Sequence, residues 1–311
     1  IALFGYNEIA VYFLKAKLTN ICVVEKRFLK KNETNQLNIV FQQIDDVKDN
    51  VIFVNCVTGV NAGLVYEKLT QLNKICISWI TIKNIFNYED INYWYLGNFD
   101  KYFKKNLKKF EEIFYKFDDL KSKKDFLKIL NYKVTGNESV FKYLKNTSPQ
   151  YIPNFINFSN IKKIVDVGSF DGDTIESLNH NGIIYETLYA IEPDQVNFSI
   201  LKKKFKNNKN IHLINKALGL KNEFKYLHSD GDRSKIIKNE NGQKVNIISL
   251  DELKLKPDYI KVDIEGYEHE FIEGARETIQ KYKPKLAICV YHKESDFYSI
   301  PNKIFELNQK Y

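Results

Sequence analysis

Apolar positions along this chain fall into two stretches of strand-and-helix alternation, separated by a segment of different rhythm. In the first stretch, residues 1–4 read as a buried strand, Gly5 as a turn and residues 8–17 as a helix. Short apolar runs at 21–25, 51–57 and 75–80 predict further strands, with a helix over 61–72. From about residue 96 the period changes: Phe103, Leu107, Phe110, Phe114 and Phe117 recur at steps of four and three, with lysines between them. That spacing predicts a helix with one aromatic stripe, and a second helix over 122–132 that stops before Gly136. The second stretch predicts strands at 163–168, 187–192, 211–216, 259–264 and 285–292, and helices at 174–181, 195–207, 267–282 and 300–311. Between its third and fourth strands lies an insertion, 224–248, where Asp230-Gly231 and Asn241-Gly242 signal turns between short antiparallel strands. Alternating strands and helices argue parallel sheets. The expected class is α/β: a Rossmann-like domain at 1–95, a helical connector at 96–150 and a larger Rossmann-like domain at 151–311.

The turn after the first strand of the second stretch carries the most chemistry. Val165 to Thr174 reads V-D-V-G-S-F-D-G-D-T, a buried strand running through a glycine turn into a helix. The next strand ends in Glu192, about twenty residues on, near the spacing of a ribose-binding acid. Glycines let a backbone approach a ligand, a helix N-terminus offers N–H groups, and a carboxylate accepts two ribose hydroxyls. A pyrophosphate turn wants G-x-G-x-x-G and an uncharged rim. Here the rim carries Asp166, Asp171 and Asp173, which repel phosphate and suit a ligand bearing an ammonium and a sulfonium. The implied cofactor is S-adenosylmethionine. Asp166 is expected to meet its ammonium, Gly168 to allow close approach, and Ser169, Asp171 and Gly172 to line the turn. Glu192 and Pro193 would flank the ribose, Asp194 cap the following helix, and Ala217 and Leu218 lie beside the adenine. The plain alternative is an ordinary turn in which Asp173 or Thr174 caps the helix; Glu192 at the right distance weighs against it.

The fourth strand runs into Asp263-Ile264-Glu265-Gly266-Tyr267-Glu268. Asp263 and Glu265, two apart, share a face while the strand lasts. They read as acids that hold an acceptor, its hydroxyl or a metal, or else as acids drawn to the first turn of a helix. The dipole suffices for Glu268; Asp263, at a strand end facing the crevice, is assigned a function. No tight group of carboxylates and histidines stands out, so no metal is assigned. His292 falls at the open end of the fifth strand, where an imidazole titrating near neutrality can take a proton or orient a carboxylate.

Composition changes this picture little. The chain has 311 residues, 44% hydrophobic and 28% charged, enough for two cores. Its four cysteines sit in apolar runs without C-x-x-C spacing and read as reduced core residues. The net charge of +8 invites a nucleic-acid partner, yet almost all of it is lysine, the arginines being Arg27, Arg233 and Arg276. Recognition of bases and phosphates favours the arginine fork, so no nucleic-acid partner is expected. No apolar run reaches membrane-spanning length and no signal peptide precedes the first strand, so the expectation is a cytoplasmic protein without a membrane span. The aromatic stripe reads as a packing surface between domains or between subunits of a homo-oligomer.

Val165–Thr174, Glu192-Pro193-Asp194, Ser249-Leu250-Asp251-Glu252-Leu253, Lys261–Glu268 and Tyr291-His292-Lys293 together resemble the FkbM-type methyltransferase family. The resemblance covers residues 151–311 and extends more weakly through 129–136. It implies a class I fold, S-adenosylmethionine as cofactor and O-methylation of sugars or natural products. Class I sheets finish with a sixth and seventh strand, which this chain does not reach before Tyr311. The first stretch keeps only the leading glycine of a dinucleotide turn in Gly5-Tyr6-Asn7-Glu8-Ile9-Ala10, although Glu25 ends its second strand. A degenerate domain for assembly or acceptor positioning is expected there. The functional expectation is O-methylation of a sugar hydroxyl in capsular or other surface-polysaccharide synthesis. His292 would be the base, Asp263 the group orienting the acceptor, and Glu265, Glu268 and Tyr291 its other contacts. N-methylation of a small amine, or a non-catalytic nucleotide- or sugar-binding assembly protein, are the alternatives.

Overall fold

The computed structural model of the chain describes residues 1–5, 7–16, 22–24, 40–41, 43–48, 50–58, 60–88, 91, 98–143, 149–230, 233–237 and 241–311. The chain divides into two compact units, Ile1–Lys145 and Asn146–Tyr311.

In the first unit, β1 (Ala2–Phe4) leads to α1 (Glu8–Lys15), β2 (Cys22–Val24), β3 (Val40–Phe41), β4 (Phe53–Asn55), α2 (Val60–Gln71), β5 (Cys76–Ser78) and α3 (Trp79–Phe86). The strands pair in parallel in the order β3-β2-β1-β4-β5. Ala2, Leu3, Phe53 and Val54 are buried, as expected for parallel strands covered on both faces. The strand expected over 75–80 ends at Ser78, whose hydroxyl caps α3 by accepting from the Ile80 N–H at 3.3 Å. Trp79, Ile80 and Ile82 then bury on a helical stripe, so an apolar run too short to reveal its period had been read past its break. Lys17 and Glu25, where the expected helix and strand end, and Tyr6 of the glycine turn lie outside the described residues.

Two long helices, α4 (Phe99–Lys116) and α5 (Leu120–Thr135), complete the unit. Asp119 caps α5 by accepting from the Ser122 N–H at 2.8 Å, and Gly136 closes it with a φ of 76°. α4 departs from helical angles at Asn106, whose amide donates to the Tyr102 carbonyl at 3.0 Å. Its aromatic stripe packs on itself: Phe110 meets Phe99 and Phe103 edge-on at 5.9 and 5.0 Å. Phe117 falls just beyond α4 and meets Phe126 of α5 at 5.1 Å.

The second unit contains β6 (Lys163–Val167), α6 (Asp173–His180), β7 (Thr187–Ile191), α7 (Gln195–Phe205), β8 (Ile211–Ile214), β9 (Ala217–Leu218), β10 (Glu223–Asp230), β11 (Arg233–Ile237) and β12 (Gln243–Ile248). It continues with α8 (Leu250–Leu253), β13 (Tyr259–Val262), α9 (Glu268–Gly274), α10 (Arg276–Tyr282), β14 (Lys285–Ile288) and α11 (Asp296–Leu307). Its main sheet is parallel, in the order β14-β13-β6-β7-β8. Side chains alternate across it: Ile164 and Leu188 join one buried cluster, Val165 and Val167 the other. The insertion forms its own sheet, with β10 antiparallel to both β11 and β12, and β9 alongside β12.

Two expected elements differ. The helix expected over 267–282 is broken at Ala275, beside Gly274, where any Cβ would collide with the Gly219 carbonyl. The fifth strand ends at Ile288, so Cys289 to His292 leave the sheet before α11 begins at Asp296. Strand order reverses at β6, between β7 and β13. Ligands of open α/β sheets sit in the crevice at such a switch point, beyond the carboxyl ends of the strands. No helix among the described residues is long and apolar enough to cross a membrane.

Candidate active site

At the end of β6 the chain turns at Gly168, with a φ of 75°. A side chain there would run into the backbone carbonyl of Asp263, so closely do the ends of β6 and β13 approach. Buried Ser169 pins the turn: its hydroxyl donates to the Asp166 carbonyl at 2.9 Å and accepts from the Ile191 N–H at 3.0 Å. Phe170 adopts a left-handed φ of 48°, and its N–H donates to Glu192 at 2.9 Å. The other Glu192 oxygen accepts from the Asp194 N–H at 2.9 Å. Burial outweighs these hydrogen bonds and pushes the Glu192 pKa up to about 7.

A cleft of about 310 Å³ opens over this turn. Of the residues expected at the cofactor, Gly168, Glu192, Pro193, Ala217 and Leu218 line it. Asp173 joins them at the start of α6, and Leu227 and Ile236 form a wall from the inserted sheet. That sheet is fastened beside the loop after Glu192: Ser229 donates to Asp194 at 2.7 Å, and Gln243 to the Pro193 carbonyl at 3.0 Å. Asp194 also caps α7, as expected, by accepting from the Val196 and Asn197 N–H groups at 2.9 Å each.

Asp166, Ser169, Asp171 and Gly172 are not among the lining residues. Asp171 pairs with Lys204 of α7 at 3.0 Å, and Gly172 is a glycine because a Cβ would strike the Phe205 ring. The contact expected between Asp166 and an ammonium group is corrected by its burial. The carboxylate is fully inaccessible and lies 3.0 Å from the Lys261 ammonium, which also donates to the Gly168 carbonyl at 2.5 Å. A charge buried among strands needs a counter-charge, and β13 supplies it. Burial opposes the Lys261 charge, but Asp166 and then Asp263 outweigh it and raise its pKa.

The far end of the cleft is acidic. Asp263, Glu265 and Tyr291 line it, together with Tyr151 from the segment before β6. Tyr151 donates its hydroxyl proton to Asp263 Oδ2 at 2.7 Å, and the Tyr291 hydroxyl lies 3.3 Å from both oxygens. Glu265 holds a left-handed φ of 55°, followed by Gly266 at 94°. His292 is buried behind the carboxylates, outside the lining. Its Nε2 lies 3.3 Å from Asp263 and 3.5 Å from Glu265, while its Nδ1 lies 3.0 Å from Glu268. Burial works to lower its pKa, but Glu268 first, then Asp263 and Glu265, hold it above the ordinary value. Glu268, expected at the acceptor, is buried instead. It accepts from the Ile264 N–H at 3.1 Å and so ties the loop to the imidazole. Asp263, Glu265 and His292 each place one ligand atom within 4.8 Å of the others. The sequence hid this group because the histidine arrives from the far side of β14.

Sequence reasoning missed Lys261 and Tyr151. Lys261 left a signal, a lone charge in the apolar strand Tyr-Ile-Lys-Val. Tyr151 left none, since its contact with Asp263 spans 112 residues.

Residues 166–311 match the family model described as the methyltransferase FkbM domain. Among solved structures, the chain is similar to Methyltransferase FkbM from Methylobacillus flagellatus KT, with a TM-score of 0.75 at 17% identity. That likeness covers 100% of this chain and 84% of the other, and at this identity it shows the fold alone. An rRNA methylase from Streptococcus thermophilus matches over 48% of this chain and 72% of its own, at 15% identity and a TM-score of 0.30, too low to carry an argument. A search of curated proteins gives no match. Family model, strand order and the cleft at the switch point agree: residues 166–311 are a methyltransferase domain of the FkbM family.

Proposed function

We propose that this chain is an S-adenosylmethionine-dependent O-methyltransferase acting on a sugar hydroxyl, in the synthesis of a capsular or other surface polysaccharide. The residues fit the cofactor. Glu192 faces the cleft with each oxygen held by one backbone N–H, which leaves a lone pair on each for a ribose hydroxyl. Ile191, Leu218, Leu227 and Ile236 offer apolar surface for a nucleobase, and Asp173, Asp263 and Glu265 favour a positively charged ligand. When bound, the cofactor supplies an electrophilic methyl carbon whose sulfur leaves as a neutral thioether. The protein must then align the acceptor and help remove one proton. Asp263 is the carboxylate that faces the acceptor, and His292 stands directly behind it. Two carboxylates beside two tyrosine hydroxyls suit a ligand with several hydroxyl groups.

The observation that carries this reading is that Glu192 and Asp263 face one cleft across the glycine turn. The experiment is calorimetric titration with S-adenosylmethionine and its demethylated product, followed by methyl-transfer assays on sugar nucleotides and on small amines. Glu192→Ala is expected to weaken cofactor binding about tenfold or more, the effect of losing hydrogen bonds to a charged group. His292→Ala should lower turnover while leaving cofactor affinity near that of the parent. Absence of cofactor binding overturns the reading, and transfer to amines alone replaces oxygen by nitrogen as the acceptor.

A further inference from the structure

We infer that Asp263, Glu265 and His292 hold a divalent cation of the Mg²⁺ or Mn²⁺ kind at the acceptor end of the cleft. What the ion does there rests on the functional reading above; whether it binds does not. The argument begins with Glu268, buried 3.0 Å from Nδ1 of His292. A carboxylate in that position accepts a hydrogen bond from Nδ1–H and leaves Nε2 to present a lone pair to an ion, the arrangement that orients metal-bound imidazoles. Nε2 lies 3.3 Å from Asp263 Oδ1 and 3.5 Å from Glu265 Oε2.

A cation seated among these three atoms, which gather within 4.8 Å, would offset the charge of the two carboxylates. Adjacent ligands of a cation bound at about 2.1 Å stand roughly 3 Å apart. The two spacings to Nε2 exceed that by a few tenths of an ångström.

The surroundings fix each ligand atom. Tyr151 holds Oδ2 of Asp263 at 2.7 Å, which leaves Oδ1 toward the imidazole. The left-handed backbone at Glu265 turns the chain so that its carboxylate meets the same point. Two carboxylates select a hard cation, and one imidazole favours Mn²⁺ over Ca²⁺. Three protein ligands on one side leave open positions toward the cleft, where a pair of neighbouring sugar hydroxyls can complete the shell. A hydroxyl bound there would pass its proton to solvent water more readily, and His292 then acts as a ligand.

The test uses the full chain, stripped with EDTA and titrated with Mn²⁺ in the absence of donor and acceptor, followed by calorimetry and by electron paramagnetic resonance. One Mn²⁺ per chain is expected, with affinity lowered about tenfold or more in Glu265→Gln. Thermal melts confirm that this half-buried position leaves the variant folded. A parent that binds no Mn²⁺, or a Glu265→Gln chain that binds it as well as the parent, overturns the inference. S-adenosylhomocysteine is titrated separately into the stripped chain. A chain that binds the nucleoside but not Mn²⁺ sinks only the cation site, and one that binds Mn²⁺ but not the nucleoside sinks only the functional reading.

Discussion

The two α/β units share one sheet plan, the first strand at the centre with two strands on either side, yet their switch points are built differently. In the first unit, among the described residues, two asparagines there bond to neighbouring groups of the same unit. Asn7 caps α1 by accepting from the Ala10 N–H at 3.1 Å, and its amide reaches across to the Cys56 carbonyl at 2.7 Å. Asn55, at the end of β4, donates to Glu138 and to the Ala62 carbonyl at 2.9 Å each, and accepts from the Val57 N–H at 3.1 Å. In the second unit Gly172 precedes α6 with no side-chain cap, and Glu192, Asp263 and Glu265 face a cleft. A shared topology supplies a crevice; whether its polar groups close on themselves or face outward decides what the crevice can do.

The contrast can be broken most severely at Lys261. Lys261→Met leaves Asp166 charged and buried, and should cost about 3–5 kcal/mol in urea unfolding. The double variant with Asp166→Leu should recover much of that loss. A single variant as stable as the parent would show that the pair does not bind β13 to the turn. Next come the two turn glycines. Gly168→Ala should cost about 2–4 kcal/mol, because the new methyl meets rigid backbone at a positive φ. Gly5→Ala should cost less, about 1–2 kcal/mol, since its obstacle is the Val57 side chain, which can shift. Equal losses would erase the distinction between the two turns.

The smallest effect sharpens the comparison through pH. Both units bury a carboxylic acid: burial raises the Glu192 pKa to about 7 and the Glu138 pKa to about 8. Glu192 must be ionised to accept two hydroxyls, so cofactor affinity should be full above pH 7 and fall as pH drops through it. For Glu138 the effect falls on folding stability. Its folded pKa is raised above the unfolded value, so its contribution to stability is present at low pH and lost as pH rises through about 8. Melting curves of parent and Glu138→Gln between pH 5 and 9 check this, and parallel pH profiles would refute it.

The fold was largely legible because its signals are local. The alternation of short apolar strands with helices, Asp194 as a cap and Gly136 as a stop could each be read from a few neighbouring residues. So could the turn at Gly168, which depends on the end of one strand. Asp166 misled because its acidity was visible and its partner, Lys261, was not; only the pairing of β6 with β13 brings them together. The contact between Glu268 and His292 was hidden for the same reason, since 24 residues separate them in the chain. The run at 75–80 shows a different limit, since six apolar residues fit a strand or a helix until burial chooses.

Lys261 has one more implication. Its ammonium joins the turn at Gly168 to the strand that leads into Asp263. On the proposed function, donor seat and acceptor seat are therefore parts of one joint, and their separation is not tuned by sliding one against the other. Diversification of what such a scaffold methylates would then come from the rim, namely the Tyr151 segment and the inserted sheet. The joint itself stays constant.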